Sequence, residues 1–350
     1  ADDIQEVIVT SSILNKANSQ TANPTHVVSG EDIVTEATQS LGETLDDLLG
    51  VSSADYGSAV GQPIIRGMSG PRMKILDNGI VNRDVSGLGA DHFNDIDLGN
   101  AQQIEVVRGP SSLLYTNGTV GGIINVVDNS IAQENVERLV KIGGETQSVN
   151  DGDTQSLFFQ DNVNEINVSF AYKNTSLGNY DVPNGAIVHE EEEHHDEDED
   201  HEEEEHEEDL SFLANSDFES ESMKFGASKV TDKGYIGFSV SNIESTYGIP
   251  FHGEGHEDEH GEEHGEEHGE EEGHDEHEGE RIFTNSESDK FNLRGSYNLD
   301  GWKSAKSIDF FFNDSDYTFT EQHAEEEEHE EEGHDEHEGH AEGPTTFTND

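Results

Sequence analysis

The 350-residue sequence predicts a mixed α/β domain over roughly the first 130 residues, followed by antiparallel transmembrane β-barrel strands. Three observations carry that expectation. Short helix and strand signals interleave near the N-terminus, apolar residues switch to a period of two from about residue 136, and long acidic tracts alternate with short polar turns thereafter.

Taken in order, Ser29 reads as the cap of a short helix near 30 to 37. Ser40, with Glu43 three residues on, reads as a capping box opening "SLGETLDDLLG", where Leu41, Leu45, Leu48 and Leu49 fall on one helical face. Strand-like runs follow: "MKILDNGIV" with Asp77, Asn78 and Gly79 at a turn, then "QQIEVVRG" and "GGIINVVD". Farther on, "INVSFAYKN" sets Ile166, Val168, Phe170 and Tyr172 against Asn167, Ser169, Ala171 and Lys173, and "IGFSVSN" and "FNLRGSYNL" repeat the alternation. One apolar and one polar face over roughly 10 residues suits a strand between lipid and a watery lumen. "SIDFFFNDSDYTFT" breaks the pattern, because Ile308, Phe310 and Phe312 keep one phase while Tyr317 and Phe319 take the other. A bulge, or a strand running on past the membrane, would account for it.

The formal charge of -63 is too high for one compact soluble core. It is concentrated in three tracts, 189–209, 252–280 and 323–342, which hold 42 of the 80 acidic residues and 17 of the 19 histidines. Without those carboxylates the net charge is near -21. Short turns at 161–165, 231–234 and 299–304 alternate with the tracts, so in a meander all three tracts project from one end. Outer-membrane barrels keep short turns on the periplasmic side, which puts the tracts outside the cell.

Lys and Arg total only 17, which argues against nucleic acid as a partner and for cations. The absence of Cys excludes disulfides and thiolate zinc sites. No apolar run approaches the ~18 residues of a membrane helix. "ADDIQEV" reads as a mature end left after signal cleavage. The Ser, His and Asp residues form no ordered nucleophile set, so an enzyme is not expected. Gly118, Gly121 and Gly122 lack the Gly-Lys-Ser/Thr of a phosphate cradle and read as sites of close backbone packing.

The tract histidines are His189, His194, His195, His201 and His206; His252, His256, His260, His264, His268, His274 and His277; and His323, His329, His334, His337 and His340. Interleaved imidazole and carboxylate suit a borderline-soft dication such as zinc, nickel, copper or cobalt, in many partial sites. Asp91-His92 in "GADHFNDID" is a second candidate, although an Asp-His pair in a loop is on spacing alone more often a capped turn. His26 reads as a surface strand residue.

"EVIVTSS", with Glu6, Val7, Ile8, Val9, Thr10 and Ser11, resembles the TonB box of TonB-dependent receptors. "IIRGMSGPRMKILDNGI" and "QQIEVVRGPSSLLYTNGTVGGIINVV" look like the two plug-domain blocks of that family. The resemblance implies a TonB box and N-terminal segment over 1–15, a plug over 16–132, and the N-terminal part of a 22-stranded barrel over 133–350, with outer loops about 187–211, 251–281 and 321–344. It further implies a monomer in the Gram-negative outer membrane, in contact with lipid and lipopolysaccharide and energised by the TonB-ExbB-ExbD complex. Arg66 and Arg108, each followed by a glycine (Gly67, Gly109), match plug arginines that meet barrel carboxylates, which implies ion pairs at the plug surface.

Within the family the chain is most similar to the zinc-uptake (ZnuD-like) branch known from Neisseria. Asp91-His92 matches a zinc-binding pair there, and "GNYDVP" and "YIGFSVSNIESTYGIPFHGEGHEDEH" match strand and loop segments. The tracts depart from that branch in lacking Cys and in their acidity, and the branch's barrel-wall ligands would lie beyond residue 350. The expected function is import of a divalent transition metal, zinc foremost. The alternatives are a receptor for a metal chelate, its loops merely gathering cations or bridging lipopolysaccharide, and a surface or secreted metal buffer.

Overall fold

The structure is a computed structural model that describes residues 25–36, 39–57, 59–109, 112, 119–184, 186, 211–250, 282–299, 305–323 and 344–349. Its first part holds β1 (Thr25–Ser29), α1 (Gly30–Glu36), α2 (Leu41–Leu45), β2 (Val51–Asp55), β3 (Gly61–Ile65), β4 (Met73–Asp77), β5 (Ile80–Val81), β6 (Gln103–Arg108) and β7 (Gly122–Val127). A five-stranded sheet runs β1-β6-β7-β4-β5, with β4 and β7 parallel and the other pairs antiparallel. Both helix caps form as expected. Ser29 Oγ accepts the Asp32 N–H at 3.2 Å, and Ser40 Oγ accepts the Glu43 N–H at 3.1 Å.

The second helix is shorter than its leucine spacing predicts. It ends at Leu45, Gly50 takes φ +78° and Val51 opens a strand, so Leu48 only borders the core and Leu49 is exposed. The turn at Asn78-Gly79 has φ +51° and +82°, the left-handed pair a two-residue hairpin requires. Gly122 lies where an added Cβ would stand 2.6 Å from the Val107 carbonyl oxygen, and at Gly121 one would stand 3.0 Å from Met68 Cβ, which bears out close packing there.

The second part is one antiparallel sheet in the order β17-β16-β15-β14-β13-β10-β9-β8. Its strands are β8 (Leu139–Gln147), β9 (Gly152–Val163), β10 (Ile166–Leu177), β13 (Phe218–Thr231), β14 (Gly234–Gly248), β15 (Ile282–Asn298), β16 (Ser307–His323) and β17 (Thr345–Asn349). The small pair β11 (Tyr180–Asp181) and β12 (Phe212–Leu213) stands beside it. No helix among the described residues is long and apolar enough to cross a membrane. Strands β9 to β16 in the sheet are 12 to 17 residues long, more than the ~9–11 a tilted barrel strand needs.

The alternation read from the sequence holds. Ser169, Ser222, Ser228, Ser239, Thr284 and Ser288 are buried beneath the plug, while Met223, Phe225, Ile236, Val240, Phe310 and Phe312 stay exposed. Phe225, Phe238, Phe291 and Phe312 form a row across four strands with successive ring centroids 6.2, 6.4 and 6.3 Å apart. The irregular stretch on β16 contains no bulge, since its pairing with β15 runs unbroken from Ile282↔His323 to Asn298↔Ser307. Tyr317 and Phe319 occupy the inward phase and are buried, whereas Asp314, Asp316 and Thr318 share the outward phase with Phe312. The phase change therefore marks the point where the strand leaves the apolar band. Beyond it the apolar side chains turn inward onto the plug.

Candidate functional site

The three acidic tracts all begin and end at one rim of the large sheet. They join Leu177 to Phe218, Gly248 to Ile282 and His323 to Thr345, whereas the turns after Val163, Thr231 and Asn298 lie at the other end. Just inside the tract rim an apolar cluster joins plug to wall. It packs Val60 and Val85 of the plug with Phe218, Tyr247, Tyr317 and Phe319, and Phe93 lies against it.

Residues 89–95 cross this cluster as one plug segment. The Phe93 ring lies 4.9 Å from that of Phe218, and its N–H donates to the Tyr247 hydroxyl at 3.2 Å. The His92 ring stands edge-on to Phe319 with centroids 5.0 Å apart, and its carbonyl accepts the Gln62 side-chain amide at 2.8 Å. A Cβ added at Gly89 would stand 2.3 Å from Asp91 Oδ1 and 3.2 Å from His92 Cδ2, so both side chains converge over that glycine. His92 Nδ1 is buried and has no hydrogen-bond partner among the described residues. The edge of the ring that meets Asp91 over Gly89 is the Cδ2 edge, so the bare Nδ1 lies on the opposite side of the imidazole.

Among the described residues no group of three His, Cys, Asp or Glu side chains stands close enough to hold a metal. Asp91 and His92 are therefore not joined by a third such side chain among the described residues. The tract histidines lie outside the described residues except His323, which ends β16 opposite Ile282. Residues 6–11 and Gly118 lie outside them too. His26 is half-buried on β1, and burial, then the Arg108 charge, lowers its ring below the ordinary value.

The two arginines do not behave alike. Arg66 is exposed, with φ +52°, and the left-handed Gly67 follows it. Arg108 is 5% exposed, and its guanidinium donates to the Leu49 carbonyl; it makes no ion pair among the described residues. Burial, and then the like charge of Arg66, lowers the Arg108 guanidinium. Gly109, at φ +80°, turns the chain away after it. Among the described residues, the cations that meet carboxylates across the seam are Lys224 and Lys290 on the wall. Sequence reading missed them, because a lysine at a lumen-facing position looks like any other polar residue there.

A small α/β domain is thus seated against the polar face of long antiparallel strands, the architecture of a plug domain with part of a β-barrel wall. Residues 17–123 match the family model described as TonB-dependent Receptor Plug Domain. A vitamin B12 transporter, BtuB of Photobacterium profundum, is 29% identical over 140 residues, covering 39% of this chain and 23% of that protein. The fold is that of solved receptors. The ferric-catecholate import receptor Fiu from E. coli K12 superposes with TM-score 0.58 at 13% identity, over 88% of this chain and 40% of that one. The copper transporter OprC does so with TM-score 0.56 at 13% identity, over 85% and 37%. The chain therefore spans about a quarter of the curated relative and about two fifths of the solved ones. The architecture is that of the Gram-negative outer membrane, the location expected from the sequence.

Proposed function

We propose that this chain serves TonB-dependent import of a divalent transition metal, zinc foremost, across the outer membrane. One observation carries the reading: three His- and acid-rich tracts leave the sheet at one rim, above a plug segment where Asp91 and His92 converge and His92 Nδ1 has no partner among the described residues. The tracts face the cell exterior. Their negative field raises the local cation concentration, and their partial sites release ions readily. Asp91 and His92 then take the ion as part of a tighter sphere. The TonB-ExbB-ExbD complex pulls on Glu6 to Ser11 and opens the plug. A likeness to vitamin B12 and ferric-catecholate proteins favours a second reading, in which the cargo is a metal chelate.

Equilibrium dialysis of the receptor should find several zinc ions bound, released below about pH 6 as imidazoles protonate. A single tight ion unchanged by deletion of 252–280 would remove the tracts from the mechanism. Asp91→Ala with His92→Ala should abolish the complete receptor's support of zinc-limited growth in cells that carry the TonB-ExbB-ExbD complex. Uptake of a zinc chelate but not of free zinc would establish the second reading instead.

A further inference from the structure

Two lysines reach from the wall into the plug, and their settings are unequal. Lys224 on β13 donates to Asp128 Oδ2 and stands 3.5 Å from Asp77 Oδ2. Asp128 also accepts the Ser130 N–H at 2.9 Å and the Ser130 hydroxyl at 2.7 Å. Lys290 on β15 donates to Asn82 Oδ1 at 2.9 Å and to the Asp95 carbonyl at 3.1 Å, but the Asp95 carboxylate stays 3.6 Å away. Asp95 is 2% exposed, and neither of its carboxylate oxygens takes a hydrogen bond among the described residues.

A buried ion pair repays desolvation only when short contacts and further hydrogen bonds satisfy both ions. Asp128 meets that condition and Asp95 does not. Burial alone would raise the Asp128 carboxyl, but the Lys224 charge and the hydrogen bonds from Lys224 and Ser130 hold it below its ordinary value. Burial raises the Asp95 carboxyl; the Lys290 charge, then the Ser288 hydroxyl, oppose this only in part, and the Asp84 charge adds to it. A cavity of about 20 Å³ borders Asp95 and Lys290, room for roughly one water. Asp84 Oδ2 accepts the Asp95 N–H at 2.9 Å and the Asn82 amide at 2.7 Å, which ties residues 82–84 to Asp95.

We infer that Lys290 with Asp95 is the releasable clasp between plug and wall, and that Lys224 with Asp128 and Asp77 is the anchor on which the plug pivots. Opening begins when segment 82–95 leaves β15, while β7 and the residues after it stay against β13. One consequence rests on the cargo reading above. A dication at Asp91 and His92 binds three residues from Asp95 on the same segment, and by drawing that segment toward the ion it loosens the clasp.

Amide hydrogen exchange of the intact receptor in nanodiscs, with and without zinc chloride, tests both statements. Lys290→Gln should speed exchange across 82–96 by ~10-fold, the effect of losing about 1.4 kcal/mol, and leave 122–130 unchanged. Asp95→Lys combined with Lys290→Asp should restore the slow rate. Lys224→Gln should loosen both segments; should it not assemble, the Lys290 variants decide alone. Unchanged exchange over 82–96 in Lys290→Gln, or equal loosening of 122–130, overturns the clasp. In the native protein, zinc should speed exchange over 82–96 and fail to do so after Asp91→Ala with His92→Ala. Loss of the zinc effect alone, with the Lys290 result intact, sinks the cargo coupling and leaves the clasp standing.

Discussion

In the plug the fully buried side chains include Leu45, Ile65, Ile104, Val106 and Ile124, whereas the most deeply buried inward positions of the wall include Thr284, Ser239 and Ser288. The plug keeps an apolar core of its own. Below the rim the wall turns Phe225, Phe238, Phe291 and Phe312 outward and meets the plug with hydroxyls, amides and a few ion pairs. Hydrogen bonds at such a seam exchange for water at little net cost, while opening an apolar core exposes surface worth ~25 cal/mol per Å². A plug can therefore part from its wall without unfolding. At the rim Phe93 also packs on Phe218 and Tyr247, beside the candidate cargo residues, so release of segment 82–95 has to part that apolar contact as well as the Lys290 clasp.

The largest effect should come from breaking the plug core. Ile124→Ala removes a side chain with no exposure and should cost the plug ~2–5 kcal/mol. Hydrogen exchange should then rise across β1, β4, β6 and β7 together, while β13 to β15 keep their protection. Loosening of the wall strands to the same degree would mean that the two regions are one cooperative unit. Phe238→Lys comes next. Its ring sits mid-row on the outward face, and a lysine there should cost ~2–4 kcal/mol if that face meets lipid. Thermal unfolding in bilayers should show the loss, and a negligible change would remove Phe238 from the lipid boundary.

Much of this division was legible in the sequence because it rests on local periodicity. Alternation at Ile166 to Lys173 fixed the faces of β10, and Asn78-Gly79 fixed the β4–β5 turn. The tract ends follow from counting antiparallel strands. What local pattern could not supply is contact between distant segments. Lys224 and Asp128 are 96 residues apart, and Lys290 meets a carbonyl 195 residues away. Nor could it show that Tyr317 and Phe319 turn inward, since a phase change from a bulge and one from a strand outrunning the membrane look alike until the register is seen. Asp91 and His92 stood out by family likeness; their convergence over Gly89 is a matter of three dimensions.

The smallest expected effect sharpens the comparison most. Ser245 and Ser286 face each other directly across β14 and β15, their hydroxyl oxygens 2.7 Å apart in a buried place. Replacing one by Ala leaves the other hydroxyl without its partner and should cost ~1 kcal/mol. Replacing both removes two polar groups that need each other, so the double variant should lie within ~0.5 kcal/mol of the native protein rather than at the sum of the single losses. A double-mutant cycle on bilayer unfolding measures this. Additive losses would mean that each serine is bound to the plug or to ordered water rather than to its cross-strand neighbour. The wall's polar lining would then grip the plug continuously, and separation at the seam would cost as much as opening a core.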